Sequence, residues 1–210
     1  MKEYQVSIDG VMHGMSDLYS IKLTRPLFDK FSVGGTCSAQ LNLTYTPQAT
    51  PGKGAKVIVY QRNVGAPTWQ QMGVFYIDER TYPHEGQMTL VCYDAMVGID
   101  RPYFEEGDPG VWPRSMPDMV NWIASEMGVA VDSRTRVEAY SMDLISDKTI
   151  RQMLGYIGAA NAGNWVVTAE NKLLLVPLFT YIPPDAPSVA DRLVTENGEV
   201  ILLGEDGILV

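Results

Sequence analysis

The sequence predicts an α+β, mainly β protein. It places an antiparallel β-barrel domain over residues 1–100, followed by a small α/β domain with two helices and a hairpin over 101–187. C-terminal strands over 188–210 are compatible with the start of a truncated second barrel. Three observations carry this. Residues 73–96 read GVFYIDER-TYPHEG-QMTLVCYDAM, two alternating stretches around the polar reversal Pro83-His84-Glu85-Gly86. Successive strand side chains point to opposite faces, so this is a long hairpin. Residues 36–45 alternate cleanly, with Cys37, Ala39, Leu41, Leu43 and Tyr45 against Thr36, Ser38, Gln40, Asn42 and Thr44. One face is apolar and the other polar, as in an antiparallel sheet with one wet side. After Met96 the period changes, and apolar residues recur at three- and four-residue steps.

Taken in order, residues 4–8 alternate and predict a first strand, and 10–17 a loop. Residues 18–23 predict a second strand, ended by Arg25-Pro26 because proline cannot donate to a ladder. Residues 28–35 read as irregular, closing on Gly34-Gly35, and lead into the strand at 36–45. A Pro/Gly loop at 47–54 precedes a strand at 56–62, and 63–68 turns the chain toward the long hairpin. About six or seven strands in the first hundred residues are spaced as in a sandwich or barrel.

Residues 101–117 hold four prolines and the acidic run Glu105-Glu106-Gly107-Asp108, which mark a boundary. Met116, Met119, Val120, Ile123, Ala124 and Met127 form a helical stripe, with Ser115 as N-cap, Asp118 at N3 and Gly128 as the stop. A variable connection with one short strand spans 129–140. Thr149 and Gln152 have capping-box spacing before the stripe Ile150, Met153, Leu154, Ile157 and Ala160, and Gly163 ends that helix. Gly155 and Gly158 lower its propensity and leave room for close packing. A hairpin follows at 165–168 and 173–176 around Ala169-Glu170-Asn171, then a Pro-rich crossing at 177–187. Asn197-Gly198 and Asp206-Gly207 are turn dipeptides among two or three short strands. A strand running to the last residue suggests that longer relatives continue past Val210.

Composition narrows the function classes. The chain has 210 residues, 46% hydrophobic and 20% charged, the balance of a globular protein. Its formal charge of −9 argues against a broad nucleic-acid surface and against adhesion to anionic membranes. No apolar run approaches the roughly 18 residues of a membrane span, and the N-terminal residues contain no apolar signal region. Cys37 and Cys92 fall on apolar strand faces and read as small core residues made in a reducing cytoplasm.

The search for chemistry is negative. His13 and His84 stand apart in predicted loops, and no His/Cys pair has zinc-ligand spacing. Nucleophile-elbow, Walker and dinucleotide signatures are absent. Gly52-Lys53-Gly54-Ala55-Lys56 is too short for a phosphate loop and reads as a turn entering a strand. Glu105, Glu106 and Asp108 lack calcium-loop spacing and read as a solvated loop. Asp78 and Glu79 are neighbours on a strand and point to opposite faces, so they cannot share an acid–base site. Asp94, where the hairpin's second strand ends, reads as a cap for local backbone donors. Trp69, Tyr76, Tyr93, Trp112, Trp122 and Trp165 are weighed as a sugar platform and read instead as core or subunit contacts. The expectation is a protein that is not an enzyme, with no catalytic, cofactor-binding or metal-binding residues.

The run Gly73-Val74-Phe75-Tyr76-Ile77, followed by Thr89-Leu90-Val91-Cys92-Tyr93-Asp94-Ala95-Met96, resembles the N-terminal region of phage and prophage tail hub proteins. These are the baseplate hub and tail-associated proteins of siphophages and contractile-tailed phages. The runs Thr149-Ile150-Arg151-Gln152-Met153-Leu154-Gly155-Tyr156-Ile157, Gly163-Asn164-Trp165 and Asn171-Lys172-Leu173 are similar to the same family, and the likeness covers most of residues 1–180. It implies a β-barrel followed by an α/β insertion, three subunits in a ring, and two barrels per subunit that meet a sixfold tail tube. It implies partners in the tail tube or distal tail protein and in spike, fibre or lytic components. The implied location is the virion tail tip, after assembly in the host cytoplasm. The chain departs from that pattern in length, with one full barrel and only the beginning of a second. Two other readings are kept: a module binding cell-wall or capsular sugar, and the non-catalytic part of a tail-associated cell-wall hydrolase.

Overall fold

The structure, a computed structural model, describes residues 1–27, 33–102, 112–143 and 148–178, with two short strands beyond them. Residues Met1–Leu178 form one compact unit and Phe179–Val210 another. In the second unit Leu193–Val194 and Val200–Ile201 pair antiparallel. The acidic run at 105–108, the crossing at 179–187 and the Asn197-Gly198 and Asp206-Gly207 turns lie outside the described residues.

Strand β1 (Lys2–Ile8) turns through Asp9 and Gly10, both at positive φ, into β2 (Val11–His13). This is the Asp-Gly geometry of a two-residue hairpin. It corrects the loop expected over 10–17, where three residues are too few to display a period. Strand β3 (Leu18–Thr24) follows, and then β4 (Thr36–Cys37) and β5 (Gln40–Tyr45). The single strand expected over 36–45 is therefore divided. Both parts keep the alternation, with Cys37, Ala39, Leu41, Leu43 and Tyr45 all buried, but the chain changes sheets at Ser38-Ala39.

Strands β6 (Lys56–Asn63), β7 (Gln70–Thr81) and β8 (Met88–Tyr93) complete a seven-stranded antiparallel sheet in the order β2-β1-β6-β7-β8-β5-β3. The sheet curls as a half-barrel whose edges, β2 and β3, do not pair with each other. Its concave face buries Val6, Leu41, Leu43, Phe75, Ile77 and Leu90, among others, as a first core. The long β7–β8 hairpin has its second face covered as well: Val74 is buried and Tyr76 packs against a second core.

That second core begins with a 3-10 helix at Ala95–Ile99, whose Ala95, Met96 and Ile99 belong to it. The predicted boundary at 100/101 thus falls just after this helix. Strand β9 (Arg114–Ser115) leads into α1 (Met116–Glu126). Ser115 Oγ accepts from Asp118 N, and Gly128 stops the helix at φ +65°. Strand β10 (Ala130–Val131) and β11 (Ser141–Met142) precede α2 (Ile150–Ala160), which opens on a complete Thr149/Gln152 capping box. Strands β12 (Gly163–Val167) and β13 (Lys172–Pro177) form the expected hairpin, with Asn171 at φ +60° in its turn. The second sheet runs β10-β13-β12-β4. It is mixed, because β10 and β4 join parallel and the hairpin is antiparallel. A mainly β half-barrel followed by a mixed sheet with two helices is the fold class that the residue pattern predicts.

Candidate functional site

Where the chain changes sheets, one carboxylate holds the crossing. Asp94 follows β8 and caps backbone donors, as its position predicted. Oδ1 accepts from Met96 N (3.1 Å) at the start of the 3-10 helix. Oδ2 accepts from Ala39 N (2.6 Å), and Asp94 N donates to Ala39 O (3.1 Å). Asp94 is 2% exposed. Burial pushes its carboxyl up to about 6, while the two amide bonds and the Arg151 and Arg25 charges pull the other way and lose.

Two guanidiniums flank this point. Arg25 extends from the end of β3; burial holds it below its usual value, opposed by the charges of Asp94 and Glu170. Arg151, on the first turn of α2, donates Nε to Thr36 Oγ1 (3.0 Å) and Nη2 to Thr36 O (2.8 Å) and Ser38 Oγ (3.0 Å). Its Nη1 lies 3.7 Å from the Asp100 carboxylate. Arg25, Cys37, Ala39, Asp94, Val166 and Thr168 line a cleft of 220 Å³ here. Sequence reasoning found the Asp94 cap but neither arginine, because residues more than fifty positions apart carry no local signal.

A second feature is the open side of the half-barrel. A groove of 560 Å³ is lined by Tyr4, Leu18, Ile21, Leu23, Val59 and Met72, with Arg25 on its wall. Tyr4 N at the edge of β1 donates to Met15 Sδ (3.4 Å). Val11, Met12, Met15 and Tyr19 near this edge are 45–59% exposed.

The remaining candidates are separated. The Gly52–Lys56 stretch is a turn entering β6, with Gly54 N donating to Ile77 O (2.7 Å). Asp78 sits at a bulge between Ile77 and Glu79, so strict alternation fails there, and it pairs with Lys53 (3.0 Å). His13 is 3% exposed and stands edge-on to Tyr45, with centroids 4.9 Å apart; it ends β2 and does not lie in a loop. Its Nδ1 is 3.7 Å from Asp17, an ion pair only if the ring is protonated. His84 is exposed in the hairpin turn. Cys37 and Cys92 are both buried, and burial pushes the Cys92 thiol up to about 12. Trp165 is 0% exposed, while Trp112, Trp122 and Tyr76 pack against the second core. Trp69 lies under the Arg62 guanidinium, 4.3 Å from the ring centroid, and Tyr93 is half-buried. These aromatics serve different parts of the protein and do not form one exposed row.

Glu105, Glu106 and Asp108 lie outside the described residues. Among the described residues no group of three His, Cys, Asp or Glu side chains could hold a metal ion. No helix among them is long and apolar enough to cross a membrane.

No protein-family model matches the chain, and no curated protein matches it. Solved structures do. The 43 kDa tail protein of prophage MuSo2 from Shewanella oneidensis is similar with a TM-score of 0.61 at 10% identity, over 87% of this chain and 57% of that one. A tail protein from Neisseria meningitidis MC58 is similar with a TM-score of 0.57 at 13% identity, over 91% of this chain and 59% of that one. At these identities the likeness establishes the fold, and the chain spans less than three fifths of either protein. Nearly the whole chain shares its fold with phage-type tail proteins, the class its residues resemble.

Proposed function

We propose that this protein is a non-catalytic structural component of a phage or prophage tail, forming a homotrimeric hub ring at the distal end of the tail tube. The carrying observation is the fold match to two tail proteins over 87% and 91% of the chain. In this reading it works by assembly. Its partners are its own copies, the tail tube or distal tail protein on one side, and spike, fibre or lytic components on the other. It is assembled in the host cytoplasm and resides in the virion tail tip. A ring subunit needs apolar surface outside its core, and the exposed Val11, Met12, Met15 and Tyr19 on the half-barrel are consistent with that need.

Light scattering behind size exclusion, over about a hundredfold range of concentration, tests the reading. The expected result is a trimer mass that persists on dilution and a complex with purified tail-tube protein. A monomer at every concentration, with no binding to tail-tube protein, would overturn it.

A further inference from the structure

We propose that the open seam of the half-barrel, between the free edges of β1 and β3, receives an extended segment of a partner protein. That segment adds a strand to β3, lays apolar side chains into the groove and presents a carboxylate to Arg25. The inference goes beyond the tail reading and does not depend on it.

The seam is bounded by backbone without strand partners. β3 ends the seven-stranded sheet, so its outer edge carries the N–H and C=O groups that do not point at β5. Among the described residues no backbone hydrogen bond covers that edge. Across the seam β2 pairs with Val6–Ile8 alone, and Tyr4 N, further along the same edge of β1, donates to the Met15 thioether. Leu18, Ile21 and Leu23 of β3 are half-buried and line the groove, while Tyr19, Lys22 and Thr24 are exposed. β3 carries one charge, Lys22, and no proline, so little in its sequence discourages an added strand.

Arg25 supplies the charge that selects the occupant. It lines both the 560 Å³ groove and the neighbouring 220 Å³ cleft. Its guanidinium lies against the interior of β7 at Gly73, where a Cβ would meet Arg25 Nη2 and the Phe75 ring at 2.7 Å. Glycine inside a strand marks such a close approach. Asp94 and Glu170 act on Arg25 through space, and among the described residues no hydrogen bond or ion pair occupies its N–H groups. A guanidinium fork takes a carboxylate in two parallel hydrogen bonds, so one acidic side chain on the added strand is its complement. A free sheet edge, an apolar groove beside it and an unpaired cation at its end together fit strand addition. A small carboxylate with an alkyl tail would use the groove and the charge but leave the edge of β3 unpaired.

Fluorescence anisotropy with blocked, dye-labelled peptides the length of β3 tests this on the native chain. The panel alternates valine with threonine and moves one glutamate through every position. In the tightest binder, replacing glutamate by glutamine should weaken binding about tenfold. N-methylating alternate amides should do the same in at least one of the two registers. Arg25→Gln, with its dichroism spectrum unchanged, should bind the glutamate and glutamine peptides equally. The proposal is overturned if no peptide binds better than its glutamine counterpart, or if N-methylation has no effect in either register. Binding of laurate without any peptide would overturn the strand and leave a simple carboxylate site. Self-association that is lost in Arg25→Gln, with no peptide bound, would give the seam to a second copy and overturn the choice of partner. A monomer by light scattering that binds the glutamate peptides would support this proposal while the trimer reading fails.

Discussion

At the scale of single residues, two carboxylates of the same type lean in opposite directions. Asp94 is starved of water, so its native pKa is raised. Its contribution to stability is complete below the unfolded value of 3.8 and is lost as pH rises through about 6. At ~1.4 kcal/mol per unit, that is on the order of 3 kcal/mol across the window. Asp132 accepts from Arg134 Nε and Nη2 at 2.9 Å each and from Arg134 N at 3.0 Å, and this holds it well below the usual carboxylate range. Its contribution is present above the ordinary value and is lost as pH falls. Urea unfolding of Asp94→Asn between pH 4 and 7 should show a flatter stability profile than the parent protein. Arg134→Ala should move the midpoint of acid unfolding to higher pH. The Cys92 thiol, 0% exposed and pushed up to about 12, should resist iodoacetamide at pH 8 until denaturant is added. Rapid alkylation of Cys92 in the native protein would mean that the first core is open.

At the scale of elements, legibility followed the range of the signal. Both helix starts were readable because capping is local: Ser115 and Thr149 each speak to the residue three positions on. The hairpins at β7–β8 and β12–β13 were readable because alternation and turn chemistry lie in one stretch. The sheet change at Ser38-Ala39 was not, because side-chain alternation survives a strand that swaps partners. The partners that force it, Asp94 and Arg151, are 55 and 113 residues away from Ala39 and Ser38. Strand β2 was missed despite its Asp9-Gly10 turn signal, since its three residues show no period of their own. The role of the α2 glycines was foreseen, and the structure separates them. A Cβ on Gly158 would meet Trp165 Nε1 at 2.8 Å and Cδ1 at 2.9 Å, whereas one on Gly155 would meet only Gly34 O, at 3.1 Å. Alanine gains about 1 kcal/mol of helix propensity at either site. Forcing the buried Trp165 indole aside costs about 1–3 kcal/mol. Thermal melts should therefore show Gly158→Ala destabilised, and Gly155→Ala within about 1 kcal/mol of the parent. Equal effects would mean that helix propensity, and not the contact with Trp165, sets the choice of glycine.

At the scale of the whole molecule, the question is whether two cores make one cooperative structure. Residues 1–178 form one compact unit that holds both cores. The ties between them are specific: β4 pairs with β12 at Thr36–Trp165 and Cys37–Val166, Arg151 grips Thr36 and Ser38, and Asp94 joins Ala39 to Met96. Each tie is small beside the apolar burial on either side. Yet the Ala39 N–Asp94 bond is buried and the Arg151 bonds to Thr36 and Ser38 are part-buried, so separating the cores would expose or strand these polar groups at up to about 1–3 kcal/mol apiece. Together these outweigh the independence that two cores would otherwise have, and the unit should unfold in one step. A variant far from the joint makes the test. Leu43 is 0% exposed in the first core, and Leu43→Ala should cost about 2–5 kcal/mol. In a Trp69→Phe background the remaining tryptophans, Trp112, Trp122 and Trp165, all report on the second core. If the unit is cooperative, Leu43→Ala shifts the fluorescence transition and the far-UV dichroism transition to the same lower urea concentration. If the fluorescence transition stays in place while the strand signal is lost early, the two cores are independent. The joint would then be a flexible link, and a ring built from this chain would have to hold its half-barrels by contacts between copies alone.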